Sequence, residues 1–352
     1  MASAALVLLL SSPLCSALPQ KHEASFSWHK TKALLAFGDS YTFVRGTYGR
    51  ENYSFIADAL NPTYTPVQLE NNYIIQNQTG TSAGGPNWVE YLTNCGLKTQ
   101  KPSDCTAHNQ KQLWDFAFAG ADVSVKYLPL HHNYSVDLDS QVTSFANQAY
   151  PSPIIPKGPS TLVALWIGIN DINDSAKNAT ITSFPTFYAT VISTLFSGID
   201  TLYGLGYRNY LLMNLPPLDR TPGNVANAAA NKTVSPSLAQ IGAWNGEIAK
   251  QAAAFEKGHQ GSKVLVFDAN TYLNGVLDDA SRYGLKNTTG YCARYDAPDI
   301  ATNYAAYGCL PLKEYFWYNT GHVTFRVHEI LAEGVRGFLE KGGSELGYLK
   351  KK

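Results

Sequence analysis

No sign of charge prevails in this chain, in which 27 lysines and arginines face 27 aspartates and glutamates. A dense basic stripe is missing as well. That argues against a nucleic-acid partner, since phosphate binding needs lysine and arginine concentrated on one surface. The one charge run, Lys350-Lys351-Lys352, reads as a solvated tail. Past the N-terminus no apolar run reaches the roughly 18 residues that cross a bilayer, so no membrane span is expected. Internal repeats are absent, which removes repeat architectures from consideration. Cys-x-x-Cys and clustered histidine spacings are absent too, and no metal is expected.

What is present begins with an export signal. Ala4 to Leu10 form an apolar stretch, and Cys15-Ser16-Ala17 offers small residues at a cleavage point, so residues 1–17 read as a signal peptide. A buried N-terminal helix is the alternative. The remaining 18–352 reads as one domain with loop insertions at about 50–110 and 283–318, long enough to bury a full core. Losing the leader removes Cys15 and leaves Cys95, Cys105, Cys292 and Cys309. Four cysteines allow three pairings. Short local loops favour Cys95–Cys105 and Cys292–Cys309, the second a constraint of about 3 kcal/mol in the chain-entropy model. Free buried thiols are the alternative. Asn52, Asn77, Asn133, Asn173, Asn178, Asn231 and Asn287 each begin an Asn-x-Ser/Thr triplet without proline. With an export signal, they indicate a glycosylated, extracellular protein.

Five short apolar runs read as buried strands: Ala33–Phe37, Trp114–Ala119, Leu162–Ile167, Tyr210–Met213 and Val264–Phe267. They are continuous rather than alternating, as strands covered on both faces are. Helical patterns lie between them, at Ser140–Ala149, Phe187–Leu202 and Leu238–Phe255, and a last helix is expected from about Thr324 to Leu339. Alternation of this kind predicts a three-layer α/β/α sandwich around a mostly parallel five-stranded sheet. Catalytic groups in such sheets lie beyond the carboxyl ends of the strands.

Three segments obey that rule. Gly38-Asp39-Ser40 follows the first run, Phe118-Ala119-Gly120-Ala121 the second and Gly168-Ile169-Asn170-Asp171 the third. A fourth, Asn319-Thr320-Gly321-His322, precedes the final helix. Ester hydrolysis by serine needs a nucleophile, a base and donors for the developing oxyanion. Ser40 suits the first role, His322 the second, and the Ser40 and Gly120 backbones with the Asn170 side chain the third. A competing Gly-x-Ser-x-Gly elbow at Gly80-Thr81-Ser82-Ala83-Gly84 follows polar residues instead of a strand, so it reads as a turn. Asp39 and Asp171 read as structural carboxylates, the second bracing its own loop. His131 and His132 lack a spaced third ligand and read as surface histidines. Trp317, Tyr318 and Tyr41 are candidates for an aromatic wall against a sugar ring, with loop packing as the alternative.

These blocks resemble the GDSL, or SGNH, hydrolase superfamily, from Phe37 to about His322. Within it, Phe37–Tyr41, Gly85-Pro86-Asn87-Trp88 and Tyr315-Phe316-Trp317 are similar to secreted fungal carbohydrate acetylesterases. The resemblance implies that Ser40 is the nucleophile, Gly120 and Asn170 are oxyanion donors and His322 is the base. It implies a carboxylic ester hydrolase acting on short acyl esters of plant cell-wall saccharides, without metal or organic cofactor. The expected partner is an acetylated oligosaccharide or another small ester, and the chain is expected to be a monomer. One position departs from the family's Asp-x-x-His block, because Asn319 stands where the aspartate is usual. An amide can accept an imidazole N–H but cannot neutralise imidazolium. A carboxylate elsewhere or a backbone carbonyl are the other ways to orient His322. The rival readings are an esterase or lipase acting on lipid or other small esters, and a non-catalytic carbohydrate-binding protein on the same scaffold.

Overall fold

The structure, a computed structural model, describes residues 26–44, 80–95, 97, 111–132, 135–149 and 157–344. The expected leader, Cys105 and the triplets at Asn52, Asn77 and Asn133 lie outside them.

Five strands form one sheet: β1 Ala33–Gly38, β2 Gln112–Asp115, β3 Thr161–Trp166, β4 Asn209–Met213 and β5 Lys263–Phe267. Their spatial order is β2-β1-β3-β4-β5, and every pairing is parallel. All residues of β1 to β4 are buried. Consecutive strand residues face opposite sides, so helices must cover both faces. The sheet is therefore parallel throughout, rather than mostly so. β2 is shorter than its apolar run suggests. Asp115 Oδ1 accepts the Ala117 N–H at 3.0 Å and turns the chain, while Phe118 N–H still reaches the Gly38 carbonyl at 3.0 Å.

The helices are α1 Trp88–Thr93, α2 Leu138–Ser144, α3 Ile169–Ser175, α4 Phe184–Gly204, α5 Pro222–Ala229, α6 Leu238–Gly258, α7 Ala269–Asp278, α8 Ile300–Asn303 and α9 Phe325–Glu340. Local chemistry sets several of their starts. Asn87 and Glu90 form a reciprocal capping box on α1, as Ser237 and Gln240 do on α6. Asp137 caps α2 two residues earlier than the hydrophobic period indicates. α4 packs on α6 and α2, and α9 packs on α1 and α7, which forms the two helical layers. Trp88, Trp114, Trp166 and Trp244 are all fully buried.

Residues 283–318 form a small second core. Cys292, Ala297, Ile300, Leu312, Tyr315 and Tyr318 are buried together, with Tyr295, Tyr304 and Tyr307 packed on them. A Cys292–Cys309 disulfide ties this region. Cys95 is disulfide-bonded as well. Of the described triplets, Asn173, Asn178 and Asn231 begin at exposed residues and Asn287 at a half-buried one.

Candidate active site

Ser40, Gly120 and Asn170 follow β1, β2 and β3, which are neighbours in the sheet and share one carboxyl edge. The strand order reverses direction between β1 and β3, where a crevice opens in parallel sheets of this order. Ser40 and Asn170 flank it. β1 ends at Gly38, where a Cβ would sit 2.2 Å from the Trp166 carbonyl oxygen. Only glycine allows β1 to end so close to β3. The Gln141 side chain from α2 then completes the strand end. It accepts the Gly38 N–H at 3.0 Å and donates to the Gly38 carbonyl at 2.9 Å.

Asp39 shapes the turn that presents Ser40. Its Oδ1 accepts the Tyr41 N–H at 2.9 Å, and its carbonyl accepts from Thr42 and Phe43. Burial pushes its carboxyl up to about 7, with repulsion from Asp171 adding to the effect. The Ser40 N–H has no acceptor among the described residues, and neither has the Gly120 N–H. Gly120 adopts φ +76°, and Ser135, His131 and His132 fill the space a side chain would need. Asn170 Nδ2 donates to the Ala121 carbonyl at 2.8 Å, which ties it to the Gly120 turn. A carboxamide nitrogen carries two hydrogens, so one stays available. Asp171 accepts the Val123 N–H at 3.0 Å as well as its own backbone N–H, so it braces the chain after Gly120 along with its own loop.

His322 sits on a tight hairpin. Trp317 and Val323 form an antiparallel bridge, Tyr318 N–H donates to the His322 carbonyl, and Thr324 N–H donates to the Phe316 carbonyl. Inside this hairpin Asn319 Oδ1 accepts the N–H groups of Gly321 at 3.0 Å and His322 at 2.9 Å. Backbone N–H groups only donate, so the contacting amide atom must be the oxygen. The same oxygen lies 3.0 Å from His322 Nδ1. Nδ1 therefore carries the proton, and Nε2 is left as acceptor. Ser40 Oγ stands 2.7 Å from that Nε2. Burial alone lowers the His322 pKa to about 4, and no carboxylate contributes to the shift. The ring is thus neutral at pH 7. A hydroxyl, a neutral imidazole base and an orienting oxygen stand in line, as nucleophilic catalysis by serine requires.

Tyr41 and His328 complete the support. The Tyr41 hydroxyl donates to the Gly321 carbonyl at 2.6 Å, and its ring packs on Trp166, His322 and His328. The sugar-wall reading of Tyr41, Trp317 and Tyr318 is corrected here. Tyr41 and Trp317 are fully buried, and Tyr318 is 7% exposed. The Trp317 indole donates to the Thr288 carbonyl, and Tyr318 packs on Tyr295 and over Gly84. They support the His322 hairpin and have no face to offer a ligand. Sequence gave no sign of the Gln141 contact or the Tyr41 tether, because both join residues far apart in the chain. Ser82 lies in a turn docked on α9 through the Phe325 N–H to Ala83 carbonyl bond.

The family model described as GDSL-like Lipase/Acylhydrolase matches residues 34–335. The chain belongs to this family. As a GDSL acylhydrolase it is a carboxylic ester hydrolase. It is 25% identical to an acetylesterase of Thermothelomyces thermophilus over 87% of each chain. It is also 25% identical to an acetylesterase of Hypocrea jecorina, over 83% of this chain and 84% of that one. Among solved structures it is similar to Axe2, an acetylxylan esterase from Geobacillus stearothermophilus. The identity is 16%, coverage is 91% of this chain and 96% of that one, and the TM-score is 0.40.

Proposed function

We propose that this GDSL hydrolase is a secreted esterase that removes acetyl groups from plant cell-wall saccharides through an acyl-enzyme on Ser40. The observation that carries the reading is the Ser40–His322–Asn319 relay, with contacts of 2.7 and 3.0 Å. Ser40 Oγ attacks the ester carbonyl carbon as its proton passes to His322 Nε2. The oxyanion develops against the Ser40 and Gly120 N–H groups and the free hydrogen of Asn170 Nδ2. Collapse expels the sugar alkoxide, which takes the proton from Nε2. Water then attacks the acyl-serine by the same route and releases acetate and the free hydroxyl of Ser40.

Acetyl specificity is supported by the two fungal acetylesterases named above. Export is supported by the apolar leader, by the Cys292–Cys309 disulfide and by the exposed sequons. The test is acetate release from acetylated xylo-oligosaccharides, set beside a series of 4-nitrophenyl esters of rising acyl length. Rates are expected to fall steeply beyond butyrate. A preference for long acyl chains would instead identify a lipase.

The His322 environment sets the pH response. The acid limb of kcat/KM is expected to have its midpoint near pH 4, well below the ordinary histidine value of 6.5. A limb centred near 6.5 would mean a hydrated ring. The fully buried His328 is likewise pushed down, to about 3. Both rings bind protons more readily unfolded than folded, so they favour the folded state less as pH falls below 6.5. Unfolding must therefore be followed in parallel by circular dichroism. Asp39 runs the opposite way. Its raised pKa stabilises the fold below about pH 4, and this contribution is lost as pH rises through 7.

Asn319 can be tested by two substitutions. Asn319→Ala removes the acceptor of three N–H groups and is expected to lower kcat by about 10- to 100-fold, through a loosened hairpin and a free choice of tautomer. Asn319→Asp keeps the acceptor and adds a charge beside Nδ1. It is expected to retain activity and to move the acid limb upward, since an adjacent anion favours imidazolium. An unchanged limb in the Asp variant would remove Asn319 from this role.

A further inference from the structure

Among the described residues, Asp122 is the fully buried carboxylate with both oxygens unpartnered. The charges that act on it most are four more carboxylates, Asp171, Asp174, Asp39 and Asp137. A buried anion left unpaired among anions is costly, and it needs either a proton or a cation. The fold brings His131 and Asp174 to this carboxylate, so that one ligand atom from each of the three residues lies within 4.8 Å of the others. His131 Nε2 is 2.5 Å from Asp174 Oδ2, and these two side chains are 29% and 31% exposed, which leaves an outward route.

We propose that Asp122, His131 and Asp174 form a binding site for one divalent transition-metal ion of the zinc type, beside the turn that carries Gly120. Tetrahedral zinc with bonds of about 2.0–2.2 Å holds its ligand atoms about 3.3–3.6 Å apart, so on binding the His131–Asp174 contact must open by about 1 Å and the Asp122 oxygen must draw in by up to a little more than that. One imidazole with two carboxylates suits zinc or manganese better than calcium, which takes oxygen ligands. Water completes the shell on the exposed side. Sequence reading set His131 aside for want of a third ligand in its own stretch. Asp122 comes from the turn after β2, and Asp174 from α3.

The position gives the ion a structural task. Asp122 is two residues beyond Gly120, Asp174 is four beyond Asn170, and the His131 Cβ packs over Gly120. A bound ion would clamp the Gly120 turn to the helix that carries Asn170. It touches no reacting atom.

The test starts from full-length protein stripped with a chelator and titrated with zinc chloride by calorimetry, with calcium chloride as the comparison. One zinc per chain is expected to bind, with a Tm that rises with zinc concentration, since the ion binds only the folded state. Calcium should bind at least tenfold more weakly. Asp122→Asn and His131→Ala should each weaken zinc binding at least tenfold while far-ultraviolet circular dichroism stays native. Should Asp122→Asn misfold, Asp174→Asn on the exposed helix face serves in its place. Absence of saturable zinc binding would mean that Asp122 keeps a proton instead, and the proposal would fall. Binding that survives both His131→Ala and Asp174→Asn would put the ion elsewhere, with the same consequence.

Discussion

Ser40→Ala is expected to lower kcat for 4-nitrophenyl acetate by about 10⁵-fold or more, the scale seen when a serine hydrolase loses its nucleophile. The hydroxyl lies 2.7 Å from His322 Nε2, and an alanine methyl can neither attack nor pass on a proton. His322→Ala should cost nearly as much, and the double variant little more, because the two groups act as a unit. Ser82→Ala, in the turn docked on α9, should stay within about twofold of the parent. Measured rates for all four variants, with circular dichroism to confirm folding, decide the assignment. A Ser40→Ala enzyme with substantial turnover would overturn it, and loss of activity in Ser82→Ala would point to the other serine.

Asn170→Ala is the second large effect. Loss of one oxyanion donor costs about 10²–10³ in kcat in a serine hydrolase. Here the same nitrogen also holds the Ala121 carbonyl at 2.8 Å, so the Gly120 turn loses an anchor along with the donor. A fall at the upper end of that range is expected, with KM little changed, because the missing contact forms only in the transition state. Asn170→Asp should be at least as damaging. It replaces two N–H donors with an acceptor and puts a negative charge where the oxyanion forms. If KM rose and kcat held, Asn170 would be a ground-state contact and the hole would be formed by backbone alone.

The strands were legible in the sequence because burial on both faces forces continuous apolar runs, and such runs ending in Gly-Asp-Ser or Gly-Ile-Asn carry their meaning locally. β2 was misjudged at its end. The Asp115 side chain takes the Ala117 N–H there and turns the chain, while the apolar residues continue to Ala119. The aromatic wall was misjudged for a related reason. Composition shows that Trp317, Tyr318 and Tyr41 are flat and large, but not which way they face. In the fold Tyr41 packs on Trp166 and His322, Trp317 on Phe316 and Tyr318 on Tyr295, which buries all three.

Residue order alone established the class of sheet, the serine after its first strand and the histidine before its last helix, because these depend on short-range pattern. Contacts across the chain settled the rest. The tautomer of His322 follows from two backbone N–H groups that orient the Asn319 amide. Tyr41 holds the His322 hairpin through a bond that spans 280 positions. Asp122 meets His131 and Asp174 only because β2, its following turn and α3 converge at one sheet edge. Hydrogen bonds and electrostatics act over a few ångströms, and only the folded chain decides which distant residues come that close.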